Sequence, residues 1–136
     1  MSSFSLELQK GVRAALTSAS AVTSLVSTRI FDEAPHNVVY PYIRFGGIIP
    51  TSDDTDGSTG ADVKISVEAY SQATGRVEAT TIAEAIRSAL HRNETAISLT
   101  GINVIEMICE NYFVDVENDG RGHKATIVFS VLLQTA

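Results

Sequence analysis

The sequence predicts an α+β fold: a single four-stranded antiparallel or mixed sheet with helices packed on it, in the order α-α-β-β-α-β-β. Three observations carry that prediction. Apolar residues recur at helical spacing over 5–17 and 76–91, they alternate strictly with polar ones over 62–69, and two β-rich runs, 102–115 and 124–134, flank an Asp-Gly step.

In the first helical stretch Leu8, Val12, Ala15 and Leu16 form one apolar stripe, with Ser3 or Ser5 available to cap it. A second, shorter helix is expected from Ser20, as N-cap, to Val26, ending near Ser27. The segment 32–37 has turn composition, and Pro41-Tyr42-Ile43-Arg44-Phe45 reads as the first strand because aromatic and β-branched residues dominate it. The stretch 50–60 carries Asp53, Asp54, Asp56, Gly57 and Gly60 and little that is apolar, so it is expected to be an exposed, mobile loop.

The second strand follows, with Val63, Ile65, Val67 and Ala69 on its core face and Asp62, Lys64, Ser66 and Glu68 on the other. Over 76–91, Ala79, Ile82, Ala83, Ile86 and Leu90 make the stripe of a helix that covers the sheet. The last two strands form a hairpin through Glu117-Asn118-Asp119-Gly120-Arg121-Gly122, where Gly120 tolerates positive φ. In the final strand Ile127, Phe129, Val131 and Leu133 share one face, while Val128 and Leu132 leave the second face partly apolar and available to another subunit.

At 136 residues, without a Pro/Gly/Ser-rich spacer, the chain reads as one domain over 1–136. With 44% hydrophobic residues, it can bury roughly 68% of the surface it exposes when unfolded. Ten Lys+Arg against sixteen Asp+Glu give a formal charge of -6, the wrong sign for a module that grips nucleic acid through its phosphates. The single Cys109 excludes an intrachain disulfide and a CxxC metal site, and it fits a reducing compartment. No apolar run near the amino terminus reads as a secretion signal, and none is long enough for a spanning helix, so synthesis in a cytosol is expected.

Chemistry finds little to stand on. Aligning either acidic loop to an EF-hand puts Val63 or Thr126 where a bidentate Glu is needed. His36, His91 and His123 have no metal-ligand spacing, and His91 at a helix end suits the helix dipole. Cys109, alternating with Ile105 and Met107, reads as a core thiol. No nucleophile elbow, P-loop or dinucleotide fingerprint is present, so neither an enzyme nor a cofactor is expected. Glu106, Glu110, Asp115, Glu117 and Asp119 contribute five acids between Ile102 and Gly120 without a Lys or Arg, and read as a solvated or partner-facing surface.

Taken in order, several segments resemble the tail-completion, or tail-terminator, family of long-tailed bacteriophages and phage-derived gene transfer agents. They are the short helix leading into Leu25-Val26-Ser27-Thr28-Arg29-Ile30-Phe31; Ala34-Pro35 followed by Tyr40-Pro41-Tyr42-Ile43 and Gly46; 67–75 leading into Ile82-Ala83-Glu84-Ala85-Ile86; and Asp119-Gly120-Arg121 followed by His123 and the strand through Phe129. The resemblance implies a structural virion component, a ring of six subunits that stops tail-tube polymerisation and joins the tail to the connector or stopper of the head-neck. Its partners would be further copies of itself, the tail tube protein and the connector, with no membrane, and DNA would pass through without specific binding.

Against that background Asp53, Asp54 and Asp56, with Glu117, Asp119 and Arg121 of the hairpin, are expected to face a lumen or a partner. Two alternatives stand beside it: another neck or tube component of the same particle, and a small-ligand-binding α+β domain, which needs a pocket with convergent polar groups.

Overall fold

The computed structural model describes residues 4–52, 59–117 and 122–135. Helix α1 (Phe4–Ser18) and helix α2 (Ser20–Val26) lead into a short strand β1 (Ile30–Phe31), followed by β2 (Tyr42–Ser52) and β3 (Gly60–Ser71). Helix α3 (Val77–Leu90) and a 3-10 turn (Glu94–Ala96) then precede the long strands β4 (Ile102–Val116) and β5 (His123–Thr135). The strands form one sheet in the order β1-β2-β3-β5-β4, antiparallel throughout except for the parallel β1/β2 pair.

The α+β class and the order of the long elements agree with the sequence pattern, but the sheet has five strands where four were expected. The added strand is Ile30–Phe31, whose two residues are too few to show a period and which exists because Ile43 N–H donates to Arg29 O at 2.9 Å. Strand β2 also runs seven residues past Phe45, to Ser52. Pro50 to Ser52 and Gly60 therefore belong to strands instead of the expected loop, because they pair across β2 and β3 or β3 and β5. Asp53, Asp54 and Asp56 lie outside the described residues, as do Asp119 and Arg121.

All three helices cover one face of the sheet. Strand β3 alternates buried and half-buried along its length, with Val63, Ile65, Val67 and Ala69 inward, as the period-2 pattern requires. Facing them are Leu8, Val12 and Leu16 of α1, Val22 and Val26 of α2, and Ile82, Ala83, Ile86 and Leu90 of α3. Phe129 of β5 is the largest fully enclosed side chain. Gly11 lets the segment after the 3-10 turn lie against α1: a Cβ there would sit 2.8 Å from Ile97 Cγ2 and closer still to Leu99.

Capping departs from the sequence reading. Ala19, not Ser20, is the N-cap of α2, and neither α2 nor α3 has a side-chain cap bond. Ser5 lies inside α1, and Ser3 lies outside the described residues. The first turn of α3 is tied instead by Ser71 at the end of β3, whose hydroxyl donates to Glu78 Oε1 at 2.6 Å and accepts from Ala73 N–H at 3.1 Å. Ser71 is the one buried polar side chain among the described residues, and both of its bonds are made within the turn that joins strand to helix.

Truncating Phe129 to Ala removes the centre of the packed layer and should cost about 3–5 kcal/mol. The urea midpoint of Phe129→Ala against the parent checks this; a midpoint unchanged within error would show that the helix layer does not rest on that ring.

Candidate assembly surface

The second face of the sheet is left uncovered by the helices, and its side chains form a mixed polar and aromatic surface. At the β2 side Tyr42 and Tyr70 stack at 4.8 Å between ring centroids, Tyr40 meets Tyr42 edge-on at 5.0 Å, and Phe31 lies 6.1 Å from Tyr42. Arg44 sits over the Tyr70 ring at 5.9 Å and pairs with Glu68 at 3.2 Å, while Tyr70 donates to the same Glu68 oxygen at 2.7 Å. Further along, Lys64 bridges Glu110 of β4 at 3.2 Å and donates to Ser130 at 3.0 Å, and Ser130 in turn donates to Asp62 at 3.0 Å.

Burial pushes the Tyr42 hydroxyl up from its ordinary 10.0 to about 12, with the neighbouring Tyr40 adding to the shift. The Tyr70 hydroxyl is raised as well, by burial first and then by its bond to the Glu68 carboxylate. Glu117, the one expected contact residue among those described, is half-buried and adds a small upward push on Tyr42. Its N–H donates to Gly122 O at 2.8 Å and closes the β4/β5 hairpin.

The sheet edge at β4 is divided in two. Up to Cys109 it is held at several points: Arg92 N–H donates to Met107 O at 2.8 Å, Met107 N–H to Glu94 Oε2 at 3.0 Å, and Cys109 N–H to His91 Nδ1 at 2.9 Å, with a bridge between Leu99 and Ile102 at the start. Beyond Cys109 no described residue outside β5 and the hairpin pairs with the strand's main chain. That upper half carries Phe113 and Val116, each about half exposed at 49% and 50%.

Two register shifts, between Val104 and Glu106 and between Cys109 and Asn111, break the alternation expected for β4. Ile105 is therefore 49% exposed and does not share the face of buried Met107 and Cys109. Burial pushes the Cys109 thiol up, which suits a core thiol. His91 does cap α3, as its helix-end position suggested, but its ring also accepts from the edge strand. That second role had no signal in the sequence, because it depends on where β4 bulges. Among the described residues no group of three His, Cys, Asp or Glu side chains is placed to hold a metal.

Two outcomes follow. His91→Ala leaves the buried Cys109 N–H without its acceptor and should cost about 1–3 kcal/mol, with faster hydrogen exchange at that amide; unchanged exchange there would show that the ring does not secure the edge. Because the folded Tyr42 ionises late, its contribution to stability is complete below pH 10 and is lost as pH rises towards about 12. Alkaline unfolding followed by tyrosinate absorbance should show that loss, and Tyr42→Phe should flatten it.

The comparisons with known proteins fit this arrangement. The family described as "Tail completion protein gp17" matches residues 10–134. The fold is similar to that of a chain in the virion of a native gene transfer agent particle, with a TM-score of 0.88 at 18% identity, covering 98% of this chain and 99% of that one. No curated protein sequence matches the chain. With the family match reaching from α1 to the end of β5, the chain belongs to the tail completion protein gp17 family and is a structural component of a phage-type tail, not an enzyme.

Proposed function

We propose that this protein is a tail terminator: copies of it close into a ring, of six subunits, that caps the tail tube and joins it to the connector or stopper of the head-neck. The observation that carries the reading is a family member's sheet with one face uncovered and one edge strand half open, beside helices that complete the core on the other face. A closed ring needs two different surfaces on each copy, and the free half-edge of β4 in an unsymmetrical sheet supplies one of them. The whole chain, 1–136, acts as one domain in this reading.

Asp53, Asp54 and Asp56, together with Glu117, Asp119 and Arg121, contribute the lumen or partner contacts. Six copies at -6 each repel passing DNA and let it slide instead of holding it. The tube protein and the connector meet opposite ends of the ring.

Electron microscopy of particles made with and without the protein tests the role. Overlong or headless tails in its absence are expected. Normal tails on normal heads would overturn the reading and move the weight to a ligand-binding domain, which ligand-dependent thermal stabilisation would then detect. Reversing the charge of Asp53, Asp54 and Asp56 together should impair assembly or DNA delivery; unaffected particles would remove those three residues from the function.

A further inference from the structure

The ring interface itself can be read from the main chain. Resting on the ring just proposed, we infer that copies join edge to edge by strand pairing, the free half of β4 on one copy lying antiparallel to the free half of β2 on the next, with Phe113 opposite Ile49.

Both half-edges are open and apolar. Strand β1 occupies the outer edge of β2 only through Arg44, so from Gly46 to Ser52 no described element pairs with it. Ile49 there is 63% exposed, so with Phe113 and Val116 it makes three of the seven exposed large hydrophobic residues among those described.

The directions of the main-chain groups match. Glu117 N–H bonds Gly122 O, so going back along the ladder Val116, Val114 and Tyr112 turn their N–H and C=O outward. On β2, Ile43 N–H points outward to Arg29, and counting through the bulge between Phe45 and Ile48 leaves Ile48 and Pro50 outward too. Setting Phe113 against Ile49 therefore sets Val114 against Ile48, an outward-facing pair that can exchange two hydrogen bonds, and Tyr112 against Pro50, where Tyr112 N–H can donate to Pro50 O and no bond returns. Pro50 lacks a donor and occurs where an edge tolerates one.

The faces match as well. Ile48 and Val114 both pack partly against the helix-side core, whereas Ile49 and Phe113 both lie on the uncovered face.

The stagger is that of a closed barrel. Phe113 stands in the row of Thr126 and Ile49 in the row of Ser130, four residues apart along β5. That is about 14 Å of rise over four strand spacings of about 19 Å in all, a tilt of about 35° and within the range of closed barrels. The β3–α3–β4 connection is of the kind that runs right-handed. Seen from the helix side with β4 pointing up, the free end of β4 is then at top right and that of β2 at bottom left. Strands in such a ring rise to the right, the coil of natural barrels when the helices are outside. The uncovered face, with Lys64, Glu68, Glu106 and Glu110, then lines the channel. Six copies give a backbone diameter of about 45 Å, wide enough for a DNA duplex.

The test is a pair of cysteines, Ile49→Cys and Phe113→Cys, in a Cys109→Ala background, oxidised in purified particles. Directly opposed residues of a non-hydrogen-bonded antiparallel pair lie within disulfide reach. The double variant should give a covalent ladder ending at the closed ring, the two single variants co-incorporated should stop at a dimer, and each single variant alone should give none. Self-crosslinking of the Phe113→Cys variant, or particles containing the double variant without crosslinks, would overturn the pairing. If the variants are not incorporated, hydrogen exchange on the unaltered protein decides: amides of Tyr112, Val114 and Ile48 should gain at least tenfold protection in the particle over the free subunit, and unchanged exchange counts against it. Overlong tails without the protein but no crosslinks would keep the terminator and remove this interface; crosslinked rings with normal tails in its absence would do the reverse.

Discussion

The pairing of β3 with β5 holds the rest of the molecule in place. It runs from Gly60–Gln134 to Ser71–His123 without a register shift, so both strands keep a strict alternation of faces along their whole length. Val63, Ile65, Val67 and Ala69 therefore line up beside Ala125, Ile127, Phe129, Val131 and Leu133 as one apolar surface, fully inside the molecule. That surface is what α1, α2 and α3 pack on. A slip of one residue would turn every one of these side chains to the other face, so the register and the core are a single constraint.

The strands on either side are not regular, and their irregularity decides what the edges can do. Strand β2 bulges once and β4 twice, all outside the central pair. In β4 the first bulge turns Ile105 outward and the second sits where His91 and Glu94 stop securing the edge. One half of the strand is thus finished within the subunit, through the end of α3 and the 3-10 turn, and the other half is left with its donors and acceptors unpaired by described elements outside the hairpin. Long open edges invite uncontrolled pairing. Among the described residues the open part is short, Tyr112–Val116, which limits that capacity.

Much of this was legible in the sequence. Period-2 alternation located β3, helical stripes located α1 and α3, and Val128 and Leu132 did mark a second face that the helices leave bare. Strand β1 was not legible, because two residues carry no period and their pairing is supplied by Arg29 and Ile43 across the fold. The extension of β2 to Ser52 was not legible, because the aromatic and β-branched run stops at Phe45 and Pro50 opens a stretch of loop composition, whereas Gly46 and Gly47 lie in a bulge and Pro50 on an edge. Most of the candidate contacts, Asp53, Asp54, Asp56, Asp119 and Arg121, rest on composition alone, since they fall outside the described residues. The divided edge at β4 could not be read at all, because His91 and Glu94 act on the strand only after α3 has been docked.

The two faces of the sheet differ in what their residues contribute. On the helix side each apolar chain withdrawn from water stabilises by roughly 1.5–3 kcal/mol, and nearly all of them are fully enclosed. On the bare side the pairs Arg44–Glu68 and Lys64–Glu110 have side chains from 14% to 41% exposed, where such bridges contribute about 0–1 kcal/mol. These charged pairs therefore add little to folding beside the buried, stacked Tyr42 and Tyr70, and the charged part of this face is free to answer to something else. An alternation of Lys64, Asp62, Glu68, Arg44 and Glu110 with stacked tyrosines keeps that face wetted and evenly charged, without the unbroken basic stripe that would hold a nucleic acid.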